Sequence, residues 1–98
     1  MKLRKTRVKK ETKANGAIEY SAQYKYWFWW CDFHEFYADS EVKEIYAEWA
    51  KVNRNKKFTK DTDEMARHII DFYVRRVKHL QASSNENKVV KTEYEKYP

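Results

Sequence analysis

The stretch YKYWFWWCDFHEFY, residues 24–37, holds three of the chain's four tryptophans within four positions. A block so rich in large rings either fills a small core or presents a binding platform. Reading back toward the N-terminus, the even positions are Ile18, Tyr20, Ala22, Tyr24, Tyr26, Phe28 and Trp30. The odd positions are Glu19, Ser21, Gln23 and Lys25, followed by Trp27 and Trp29. Alternation of this kind is the mark of a half-buried strand. It predicts one long arm whose even face, Phe28 and Trp30 included, is core. Trp27 and Trp29 are then surplus on the opposite face.

Asn15-Gly16 precedes this arm, and Gly16 is the only glycine in the chain. Both residues tolerate the positive φ of a hairpin turn, so the flanking TRVKKETK and AIEYSAQYKYWFWW read as its two arms. Loop length decides which face the bases occupy. A two-residue Asn15-Gly16 turn would put Arg7 opposite Tyr24. A three-residue Ala14-Asn15-Gly16 loop pairs Val8 with Ala22 and Thr6 with Tyr24. The longer loop gathers the neutral residues on the core face, and that consistency favours it. Lys5, Arg7 and Lys9 then lie beside Gln23, Lys25 and Trp27.

From Ser40 the period becomes helical. Val42, Ile45, Tyr46 and Trp49 form one stripe, with Asp39 or Ser40 as cap, and predict a helix over 41–53. Asp61 and Glu64 suggest a capping box opening a second helix to about Gln81, with Met65, Ile69, Phe72 or Tyr73, Val77 and Leu80 inward. ASSNENK reads as a loop, and KVVKTEYEKY as a last strand with Val90, Thr92 and Tyr94 on one face. The expected order is ββααβ: an α+β domain whose antiparallel sheet joins the N-terminal hairpin to a C-terminal strand, packed by two helices. Residues 1–98 form one domain on this reading, with the hairpin in 1–38, the helices in 39–82 and the strand in 88–97.

Composition agrees with a single modest core, at 98 residues and 12.1 kDa. Charged residues are 37% of the chain and the mean hydropathy is -1.07, so the surface is strongly ionic. The uncharged aromatic run 26–31 is too short to span a bilayer, and no apolar signal region follows the basic N-terminus. One cysteine permits no internal disulfide and fits a reducing cytoplasm. The net charge of +6 is concentrated: residues 1–16 hold seven bases and one acid, whereas 17–98 hold fourteen of each sign. Such asymmetry points to an anionic partner, although edge-strand lysines also discourage aggregation.

Catalytic signals are weak. Cys31 and His34 lie three apart, and His68 and His79 share a helix face, but paired metal-ligand spacings are missing. With a single glycine no phosphate-cradling loop exists. The expectation is a protein without catalytic residues, metal or cofactor. Phosphate recognition requires Lys or Arg, and sequence-tolerant base binding uses exposed aromatic faces. The candidate ligand-binding residues are therefore Lys5, Arg7, Lys9, Lys25, Trp27 and Trp29. Nucleic acid, a nucleoprotein complex or a nucleotide signal is the expected partner, and no membrane. Arg67, Arg75, Arg76 and Lys78 make a second basic group on the long helix. The alternative is a protein-protein inhibitor or assembly module, docking a host protein or a second copy through an aromatic face.

The basic strand, the Asn-Gly turn, YSAQYKYWFWW, the amphipathic helix and the terminal KVVKTEYEKYP together resemble small accessory proteins of tailed phages, of the host-takeover or anti-defence type. The resemblance covers both ends of the chain and not residues 55–87. It implies a stoichiometric inhibitor or sequestering agent acting in the host cytoplasm.

Overall fold

The structure is a computed structural model that describes residues 2–35, 39–86 and 91–96, with residues 84–86 described by their backbone alone. Strands β1 (Thr6–Thr12) and β2 (Ile18–Tyr26) form the expected hairpin. Thr6 lies opposite Tyr24 and Val8 opposite Ala22, the register of the three-residue loop. In that loop the Gly16 N–H donates to the Lys13 carbonyl at 2.9 Å and the Lys13 N–H to the Ala17 carbonyl at 2.8 Å. Asn15 Oδ1 accepts from the Ala17 N–H, and Gly16 takes φ +83°, a conformation that favours glycine.

Beyond Tyr26 the chain does not run on. It reverses at Trp27-Phe28 and returns as β3 (Trp29–Asp32), giving a three-stranded antiparallel sheet in the order β1-β2-β3. Trp27 adopts φ +58°, the one positive φ outside glycine among the described residues. Positive φ at the first central residue alone is the pattern of a type II′ hairpin turn, a position usually held by glycine. Tyr26 faces Trp29, Tyr24 faces Cys31, Lys25 faces Trp30 and Gln23 faces Asp32.

The reversal overturns two expectations. Phe28, read as core, stands at the turn and is 87% exposed. Trp30, also read as core, is half-buried on the side of Lys25 and Gln23. Cys31 and Phe33 enter the core instead.

Helix α2 (Glu64–Glu86) covers the Tyr24 side of the sheet, and helix α1 (Ser40–Val52) packs against α2. Helix α1 starts at Asp39, whose Oδ1 accepts from the Glu41 N–H at 3.0 Å. Val42, Ile45 and Trp49 are its buried stripe, as the periodicity predicts. Helix α2 (Glu64–Glu86) starts later than expected, because the Asp63 carbonyl accepts its first bond, from the Arg67 N–H. It also runs through 82–86, read as loop; with no Gly or Pro there, nothing stops it. Its buried side chains are Ala66, Ile69, Tyr73 and Val77, so Tyr73 rather than Phe72 faces inward.

The C-terminal strand is a correction. Residues 91–96 are exposed and form no strand; residues 88–90 and 97 lie outside the described residues. The segment KTEYEK alternates but offers one large ring for burial, and Tyr94 is 93% exposed. The third strand is β3, so the order is βββαα, still α+β. No helix among the described residues is long and apolar enough to cross a membrane.

Rings lock the layers together. Tyr24 meets Phe33 edge-on at 5.2 Å, and Phe33 meets Tyr73 at 5.3 Å. Trp49 lies between Tyr46 and Phe58, at 5.7 and 5.6 Å, and its indole N–H donates to His68 Nδ1 at 2.7 Å. The buried phenols each reach a rim: Tyr24 accepts from the Asp39 N–H at 2.7 Å, and Tyr73 from the Arg4 N–H at 3.0 Å.

Truncation of Trp49 to Ala should destabilise the fold by about 3–5 kcal/mol. His68→Leu, which strands a buried indole N–H, should cost about 1–3 kcal/mol. Urea midpoints measure both, and an unshifted midpoint for His68→Leu would place that bond outside the core. Alkaline pH is a second probe. Burial pushes the Tyr24 and Tyr73 phenols above their ordinary 10.0, partly offset by the N–H groups they accept from. A raised folded value means stability is complete below pH 10.0 and lost as pH rises through the folded values. The midpoint should fall above pH 10.0, less steeply in Tyr24→Phe; a level midpoint, or an equal fall in Tyr24→Phe, contradicts this.

Candidate anion-binding face

The register turns the side of the sheet away from the helices into a grid. Arg7, Gln23 and Asp32 form one cross-strand row, from β1 through β2 to β3. Beside it lie Lys25 and Trp30, and Lys5, whose carbonyl accepts from the Lys25 N–H at 2.8 Å, extends that row. On the other flank Lys9 pairs with Ser21. Lys5, Arg7, Lys9 and Lys25 therefore share one face, as the sequence predicts. They are not equivalent. Lys9 is bridged to Glu11, and that hydrogen bond and charge raise its pKa. Lys5 and Lys25 have no ion-pair partner among the described residues.

Arg7 is held in place. Its Nε donates to Gln23 Oε1 at 2.7 Å, and Gln23 Nε2 donates to Asp32 Oδ1 at 2.8 Å. The guanidinium carbon lies 4.2 Å from the Trp30 ring centroid, so Arg7 reaches across β2 to a tryptophan on β3. This explains why Gln23 is only 5% exposed although it faces away from the helices.

The turn supplies exposed rings. Trp27 is 69% exposed, Phe28 87% and Trp29 58%. Trp27 stands at the tip, edge-on to Tyr26 at 6.3 Å, next to the bases. Trp29 pairs with Tyr26 and so projects from the helix-bearing side, separated from Lys5, Arg7 and Lys25. An open groove of about 590 Å³ runs along the tip, lined by Lys2, Leu3, Arg4, Lys5, Lys25, Tyr26 and Trp27, with no acid in its lining. Arg4 is already engaged there: it pairs with Asp39 at 3.1 Å and lies over the Tyr26 ring at 4.9 Å.

Trp30 and Asp32 are members of this face that the sequence reading missed; Gln23 was placed on it, but not as the partner that holds Arg7. One signal was present: from Tyr26 to Trp30 every position is a large ring, so alternation fails where the chain turns. The second basic group is less coherent. Arg67 pairs with Asp63, Arg76 with Glu48, and Arg75 Nε donates to the Asp71 carbonyl. Cys31 is buried on the core side, where burial first and the Glu35 charge second push its thiol up. His34 is exposed, and His68 is engaged by Trp49. Among the described residues no three His, Cys, Asp or Glu side chains are grouped to hold a metal ion.

The Trp27 backbone generates a test. A bulky L-residue in the left-handed region costs about 1–2 kcal/mol. Trp27→Gly should therefore be more stable than Trp27→Ala by about 1 kcal/mol, reversing the usual order of these residues in strands. Thermal melts of the two variants decide it; an Ala variant as stable as the Gly variant would remove the turn as described.

No protein-family model, curated protein or solved structure matches this chain. Its function is therefore inferred from geometry and charge.

Proposed function

We propose that the chain is a non-enzymatic binding protein that engages an anionic partner through the open sheet face and the Trp27 tip. Single-stranded nucleic acid, alone or in a nucleoprotein complex, suits the face best, and a nucleotide signal shares its chemistry. The supporting observation is that Lys5 and Lys25 line a groove with no acid in its lining beside an exposed Trp27, with Arg7 on the same sheet face. Cations there would neutralise successive phosphates and release counterions, while the indole offers a face for an unpaired base. The burial of Cys31 favours binding over nucleophilic catalysis. Such a protein acts by occupancy, in the manner of the sequestering phage proteins its ends resemble, and in a host cytoplasm.

A second reading has its own support. Trp27, Phe28 and Trp29 are three consecutive exposed rings, and Trp29 lies away from the bases. That apolar tip would suit a protein surface, with the lysines solubilising the edge strand.

Fluorescence anisotropy with a labelled mixed-sequence oligonucleotide separates the two readings. For about three phosphate contacts the log–log salt slope should be about −2. The triple variant Lys5→Glu, Arg7→Glu, Lys9→Glu should stay folded, since none of the three side chains belongs to the core, yet lose binding. Full affinity in the charge-reversed protein would end the anionic-partner reading and leave the protein-docking one.

A further inference from the structure

We infer that Arg7 is a preset phosphate fork, aimed by Gln23 and Asp32 and backed by Trp30, and that it takes one phosphate of a single-stranded nucleic acid. The inference rests on the anionic-partner reading and adds to it which cation discriminates and what positions it.

The chain of donors allows one arrangement. A carboxylate can only accept and a guanidinium can only donate. Asp32 therefore fixes the Gln23 amide with Nε2 toward β3, which leaves Oε1 toward β1 to receive Arg7 Nε. Gln23 is buried, so this orientation is held inside the sheet surface and not in solvent. Trp30 supports the plane of the guanidinium from below at 4.2 Å. With Nε committed, Arg7 keeps its two terminal nitrogens, which have no hydrogen-bond partner among the described residues. Two parallel N–H groups in a fixed plane match a phosphate edge, which a lysine ammonium cannot reproduce. Lys5 and Lys25, by contrast, have no ion-pair partner among the described residues to orient their side chains and act as point charges. Asp32 is the telling member. On a face built only to attract anions an aspartate would be a defect; as the anchor of Gln23 it has a positioning role.

The test compares wild type, Arg7→Lys, Gln23→Leu and the double variant, each titrated with the same labelled single-stranded oligonucleotide over a range of salt. Gln23→Leu changes no charge. It should weaken binding by about 2- to 12-fold, the cost of ordering a long side chain that is no longer held. Its salt slope should match wild type, because the number of phosphate contacts is unchanged. Arg7→Lys should lose as much, and the double variant little more than either single change. Asp32→Ala, which removes a negative charge from the face, should fail to tighten binding; it also serves as a second route to the same bond should Gln23→Leu not fold. If wild type binds with a steep salt dependence but Gln23→Leu equals it, or Asp32→Ala binds more tightly, the fork is wrong and the anionic-partner reading stands. If wild type does not bind the oligonucleotide, that reading fails and the fork falls with it.

Discussion

Trp27 holds φ +58° so that β3 can fold back on β2, and the rest of the molecule is arranged around that reversal. A straight continuation would have kept Phe28 and Trp30 on the core side and carried Cys31 and Phe33 beyond the sheet. The two-residue turn instead brings Cys31 opposite Tyr24 and delivers Phe33 to the ring contacts that join Tyr24 to Tyr73. The same step places Trp30 under Arg7 and Asp32 beside Gln23. Core and candidate site thus share one cause. The strain of about 1–2 kcal/mol falls on a residue whose indole is left in solvent, which is where strained backbone tends to serve binding.

The basic strand is anchored at its start. Arg4 gives its N–H to Tyr73 on α2, its guanidinium to the capping Asp39 of α1, and its charge to the Tyr26 ring on β2. Tyr24 closes the circuit by accepting from the Asp39 N–H. The segment that carries the whole excess charge is therefore docked against both helices before β1 begins. A cationic arm ordered in advance loses less entropy when it meets a phosphate chain than a free tail does.

Much of this was legible in the sequence, for physical reasons. The lone glycine after asparagine can hold the left-handed position of a three-residue loop, and the parity of Val8 and Ala22 then fixes the register. The Val42, Ile45, Trp49 stripe fixes α1 because only a helix brings those positions together. The second turn was not legible, because Trp27-Phe28 contains none of the residues that tolerate positive φ; tertiary packing imposes it. From that one miss follow the misplaced Phe28 and Trp30 and the displacement of Trp29 from the basic face. KTEYEK shows the opposite error: its alternation is genuine, but the sheet gets its third strand locally, from β3. The bases of the site were readable as a group, with Gln23 beside them; Asp32 and Trp30 depended on the register across the unread turn.

On the proposed reading, ligand contact is confined to the helix-free side of the sheet and its tip. A heteronuclear NMR titration with a short single-stranded oligonucleotide tests this most directly, since the four indole N–H groups report from different places. The Trp27 and Trp30 indoles and the Arg7 Nε–H should shift together, while the Trp49 indole, bonded to His68, stays fixed. Shifts clustered on α1 and α2, with Trp27, Trp30 and Arg7 unmoved, would contradict it.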